Sequence, residues 1–156
     1  MEEGKITYQY SKGNCFFYSC LLLILIYLLS TSLSNLFNNH GIDGIMEFGF
    51  FLLLPVAFFI RITKRYTIPA IKGKVALEIN QQGVIDYARN FIIEWADISD
   101  FRMGKNKGDA TLYFYFKLSN GIEDFKITRL RWVDGDSLEI YGIIEANLEE
   151  RGLPKS

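Results

Sequence analysis

Residues 16–37 read FFYSCLLLILIYLLSTSLSNLF, 22 residues without a charge. At about 1.5 Å per residue, a helix of that length reaches roughly 33 Å, enough for a hydrocarbon core of about 30 Å. Thirteen of these residues are Leu, Ile or Phe. Each favours insertion by about 0.3–0.6 kcal/mol near the bilayer centre. The polar residues gather late, from Ser30 to Asn35, where they can bond back to the helix or across to a neighbour. The stretch reads as a transmembrane helix.

Working outward, a second apolar segment runs from Gly44 to Ile62, with an uncharged centre of thirteen residues from Phe48 to Ile60. That length alone also suits a buried core helix. Two features favour a second span: the short link NNHGID (38–43), and a cationic cluster after it. Glu47 lies near one end, at the interface; a functional intramembrane carboxylate is the sharper alternative. Pro55 predicts a kink, which membrane helices tolerate. Lys5 and Lys12 followed by LSTSLS raise a cleaved signal peptide as an alternative, but the apolar run is long and a second follows at once.

Charge order sets the orientation. No Lys or Arg occurs from Gly13 through Ile60; Arg61, Lys64, Arg65, Lys72 and Lys74 then follow. The positive-inside rule places both termini in the cytoplasm. The expected organisation is a cytoplasmic segment at 1–15, a two-helix transmembrane hairpin at 16–62 and a cytosolic domain at 72–156. The lone histidine, His40, falls in the external link and reads as a solvated loop residue.

Composition narrows the function classes. Hydrophobic residues make up 49 % of the 156, and the excess sits in the two segments. A net charge of −1 predicts no partner by itself, and nucleic acid is not expected. Cys15 and Cys20 are five apart, which argues against a disulfide framework or a zinc site. They read as lipid-facing or packing thiols, with acylation of Cys15 as the alternative.

After Ile71 the period changes from helical to alternating. VALEIN places Val75, Leu77 and Ile79 on one face, and QQG forms a turn with Gly83 suited to a positive φ. VIDY, a turn at ARN, and FIIEW with Phe91, Ile93 and Trp95 alternating continue the pattern. The alternation slips in ISDFRMG, which predicts a short turn at Trp95 to Asp97 or a bulge. TLYFYFKL sets Leu112, Phe114, Phe116 and Leu118 on one face. GKNKGD and SNG read as turns, and IEDFKI as a further strand. About six strands emerge, with a seventh either at Tyr66 to Ile71 or absent. The tail returns to helical spacing at Leu138, Tyr141, Ile144 and Leu148. Asp136 and Glu139 give it a capping-box start, Gly152 a C-cap and Pro154 a stop. The expected domain is α+β: an antiparallel sheet or partial barrel closed by a C-terminal helix.

The stretch VALEINQQGVIDYARNFIIEWADISDF (75–101), above all the step Ile93-Glu94-Trp95-Ala96-Asp97-Ile98, resembles the bacterial pleckstrin-homology-like membrane proteins. The tail ITRLRWVDGDSLEIYGIIEANLEERG resembles their closing strand and helix. The resemblance implies a fold and an address at the bacterial inner membrane. It implies no ligand and no catalytic residues.

No P-loop, HExxH, GxSxG or GxGxxG occurs, and the one histidine lies in the predicted external link. No catalytic residue, metal ligand or cofactor is therefore assigned. The expected function is binding, to an unknown membrane-proximal protein or to anionic lipid headgroups. Lys105 and Lys107 in one turn, and Arg129 and Arg131 flanking Leu130, are the candidate contacts. A small membrane immunity protein that neutralises a toxin is the alternative.

Overall fold

The computed structural model describes residues 4–40, 42–106, 108–117 and 123–152. The chain forms two compact units. One is Lys12–Lys72, and the other joins Met1–Ser11 to Gly73–Ser156.

The first unit is helical: α1 (Lys12–His40), α2 (Ile42–Ile62), a π-helical turn at Thr63–Thr67 and α3 (Ile68–Ile71). Within α1, Lys12–Asn35 is long and apolar enough to cross a membrane, and only 6 % of its most apolar window is buried in the protein. Phe17, Ile24 and Tyr27 are all at least 60 % exposed. Cys15 and Ser19 are buried, while the exposed apolar remainder of the helix is compatible with membrane anchoring. Among the described residues α1 alone meets both criteria. α2 packs on α1, and Arg61 lies in its last turn. It stays helical through Pro55.

The expected six-residue link shrinks, because Asn38–His40 belong to α1 and Ile42 opens α2. The side chains of His40 and Glu47 lie outside the described residues. Ser30, Thr31 and Ser32 return their hydroxyls to the carbonyls of Ile26 and Leu28. Ser19 Oγ and Thr67 Oγ1, both buried, satisfy each other at 2.8 Å. Unpaired, each hydroxyl would carry a desolvation cost in apolar surroundings.

Among the described residues, the second unit holds seven strands and one long helix. β1 (Ile6–Gln9), β2 (Val75–Ile79), β3 (Gly83–Asp86) and β4 (Phe91–Glu94) form one antiparallel sheet in that order. β5 (Ile98–Asn106), β6 (Asp109–Lys117) and β7 (Glu123–Arg129) form the other. α4 (Ser137–Glu150) follows. The two sheets do not close into a barrel through backbone ladders among the described residues.

The seventh strand is not where the sequence suggested. Tyr66 to Ile71 is helical, and the missing strand is β1, which lies ahead of the helices and pairs Ile6 with Ile79 and Tyr8 with Leu77. The first residues are thus part of the sheet unit rather than a separate leading segment.

Leu77, Ile79, Val84, Ile93, Trp95, Leu112, Phe114, Ile140 and Ile144 build the core. Trp95 is 2 % exposed, and its Nε1 donates to the Asn80 carbonyl at 2.9 Å. The slip in alternation has two causes at once: a 3-10 turn at Trp95–Asp97, and a register shift between Ile98 and Asp100.

Gly83 does not take a positive φ; Asn90, in the next turn, does, at 59°. Glycine is required at 83 because a Cβ there would lie 1.9 Å from the Ile93 carbonyl oxygen. In α4, Asp136 accepts from the Leu138 N–H, and Gly152, with φ +74°, donates to the Glu149 carbonyl. Its buried face is Ile140, Ile144 and Leu148, with Tyr141 stacked on Phe101. Leu138, expected on that face, is 65 % exposed, because it sits in the first turn on the outward side. Leu118 and Pro154 lie outside the described residues.

Candidate functional site

Three of the four candidate contacts lie toward one end of the second sheet, Lys105 and Arg129 on opposite faces of it. Lys105 pairs with Ala110, and the next rung joins Gly104, Thr111 and Arg129. Lys105 and Arg129 are exposed. Arg131, in the 3-10 turn Leu130–Trp132, is half-buried and ion-paired with Asp109. It therefore ties the β5–β6 turn to the end of β7, which is a structural task. Lys107 lies outside the described residues.

The outer face of the same sheet carries an aromatic stripe next to this basic end. Antiparallel register puts directly opposed residues on one face. Arg102, Tyr113 and Ile127 share one rung, and Asp100, Tyr115 and Phe125 the next. Tyr115 and Phe125 lie 6.0 Å apart, and the Arg102 guanidinium sits 5.6 Å from the Tyr115 ring while pairing with Asp100 at 2.8 Å. Phe125 is 51 % exposed. Arginine over tyrosine beside an exposed phenylalanine is a composition suited to an interface.

Where the sheets part, side chains bridge the edges of β4 and β7. Lys126 Nζ donates to the Ile92 carbonyl at 3.1 Å, and Arg89 Nη1 donates to the Ile127 carbonyl. The buried Asp86 accepts from the Arg89 N–H at 2.9 Å and faces the Thr128 hydroxyl. Burial pushes the Asp86 carboxyl up, although these donors and the Arg89 charge oppose the shift.

Glu78, also buried, behaves the other way. Burial acts to raise it. Hydrogen bonds from Asn80, Lys5 and Tyr87, together with the Lys5 charge at 3.2 Å, outweigh that and hold it below its ordinary value.

Sequence reasoning missed Lys126, Arg89 and Asp86. One signal was present: Lys126 has the same parity as Asp124 and Thr128, so in a strand opposite Phe114 these polar residues fall on the core side. Among the described residues no group of three His, Cys, Asp or Glu is placed to hold a metal ion. No family model matches the chain, and neither a curated protein nor a solved structure matches it significantly.

Proposed function

We propose that the chain is a membrane-anchored binding module. Its helices cross the bilayer twice with both termini cytoplasmic, and its pleckstrin-homology-like domain engages a membrane-proximal protein or the lipid surface. The observation that carries this reading is the chain's double link. β1 ends at Gln9 and α1 begins at Lys12; α3 ends at Ile71 and β2 begins at Val75. Only two and three residues intervene, and each spans at most about 3.6 Å. A domain held by two such links stays beside the membrane. The raised effective concentration makes a weak intrinsic affinity sufficient.

The cations Arg61, Lys64, Arg65, Lys72 and Lys74 around the second link support the cytoplasmic side by the positive-inside rule. A four-stranded and a three-stranded antiparallel sheet followed by a helix, with the other helices inserted between β1 and β2, support the family reading. The basic end, with Lys105 and Arg129, is the contact surface this reading favours. A fragment starting at residue 72 lacks β1, so the test uses the full chain. Photo-crosslinking from position 129 in the native membrane, followed by purification, should capture a defined protein or anionic lipid. The same capture by a Lys105→Glu variant would remove the basic end from the mechanism. A captured toxin would select the immunity reading.

A further inference from the structure

At the seam between β4 and β7 lies a groove of about 550 Å³ lined by Ile85, Asp86, Tyr87, Phe91, Ile92 and Lys126. The size is that of a small-molecule site, for which about 300–1,000 Å³ is usual.

Three observations say what it would take. The first is a placed cation. Lys126 stands on the core side of β7, opposite the fully buried Phe114. Its ammonium nevertheless ends at the groove, 5.5 Å from the Phe91 ring centre and 5.3 Å from that of Phe116. An ammonium has three donors, and the Ile92 carbonyl takes one. The second is uncovered apolar surface: Ile92 is 58 % and Tyr87 47 % exposed. The Tyr87 hydroxyl donates to Glu78 at 3.1 Å, which fixes the ring as a wall. The third concerns Asp86. Asp86 is 3 % exposed and engaged by the Arg89 N–H, so the accessible charge of the groove is that of Lys126. One reachable cation at the edge of an apolar trough is complementary to an anionic head on an apolar tail.

We infer that the groove binds an anionic amphiphile, its carboxylate or phosphate on Lys126 Nζ and its acyl chain along Ile85, Tyr87 and Ile92. The inference rests on the membrane-anchored reading, because the bilayer is the source of such a ligand. A phospholipid and a free fatty carboxylate share the required chemistry.

The experiment uses the full chain in phosphatidylcholine vesicles doped with one of three diazirine probes: a phosphatidylglycerol, a palmitate or a phosphatidylcholine. Cross-linked sites are mapped by peptide mass spectrometry. Adducts are expected at Tyr87, Phe91 or Ile92 with at least one anionic probe; which one responds identifies the source. Lys126→Met, which keeps the apolar stem, should lower them roughly tenfold or more, as loss of a charge-assisted hydrogen bond implies. Lys126→Arg should retain them. Adducts on α1 between Leu21 and Leu28 serve as the internal reference. If α1 is labelled and the groove is not, or if the neutral probe labels the groove as well as the anionic ones, the groove proposal fails and the anchor stands. If α1 itself is unlabelled, the membrane-anchored reading fails and takes the groove with it.

Discussion

Alanine at Gly83 places a methyl group into the backbone of the neighbouring strand. The new Cβ would lie 1.9 Å from the Ile93 oxygen, 2.8 Å from its carbonyl carbon and 2.9 Å from Glu94 Cα. No side-chain rotation relieves an overlap with main chain. Close C···O contacts in sheets run at about 3.3–3.6 Å, so β3 and β4 must part by more than about 1 Å at this rung. Two neighbouring bonds are strained with it: Trp95 N–H to the Gln82 carbonyl at 3.1 Å, and Asn80 N–H to the Gly83 carbonyl at 3.0 Å. At about 1 kcal/mol each, plus part of the Trp95 packing, the expected loss is about 3–5 kcal/mol, the range of severe core mutations. Pulse proteolysis of the full chain in urea and non-ionic detergent measures it. Gly142→Ala is the control. That glycine is exposed on α4 with nothing within 4 Å of a built Cβ, and alanine there should stabilise by about 0.5–1 kcal/mol. A Gly83→Ala protein within about 1 kcal/mol of the parent, where ordinary surface changes fall, refutes the close-approach argument.

Trp95→Ala should cost about 3–5 kcal/mol, as for other buried aromatics; an unchanged melting temperature would mean the indole is not a core group. Glu78 has a depressed folded-state value, so its contribution is present above its unfolded value and is lost as pH falls through the folded one. Glu78→Gln should flatten this acid limb of the stability curve, and an identical limb in variant and parent would count against the Lys5–Glu78–Tyr87 cluster. Asp86 has a raised value, so its protonation favours the fold: Asp86→Asn should exceed the parent most at neutral pH, and the gap should narrow on acidification. A gap that widens there would contradict the burial argument. Finally, Asn106→Cys in a background lacking Cys15 and Cys20 should resist an impermeant thiol reagent in intact cells; labelling would reverse the proposed orientation.

Local patterns were legible wherever one face meets the core. The alternation at Phe91, Ile93 and Trp95, the clean period of residues 111–117 and the Asp136 cap all announce themselves within a few residues. β1 did not, because its four residues carry only Ile6 and Tyr8 as an alternating pair and its partner lies beyond two helices. Gly83 was recognised as special for the wrong reason, since the approach of Ile93 belongs to strand pairing rather than to the turn. Of the candidate site, the placing of Lys105 and Arg129 at the same end of the sheet depends on the β5–β6–β7 register. The ion pair that engages Arg131 depends on the return of the chain after β7. Lys126 was hidden by its residue type: a lysine reads as outward-facing until the register sets it beside Phe114.

The position of the helices between β1 and β2 has a consequence for biogenesis. β1 leaves the ribosome before its partner, from which 65 residues, 10 to 74, separate it. At about 5–20 residues per second the wait is roughly 3–13 s; on the membrane-anchored reading proposed above, the helices made during it would enter the bilayer. Only then can Ile6 meet Ile79. Until β2 is made, β1 is an unpaired strand, whose free backbone groups are a ready template for pairing with another chain.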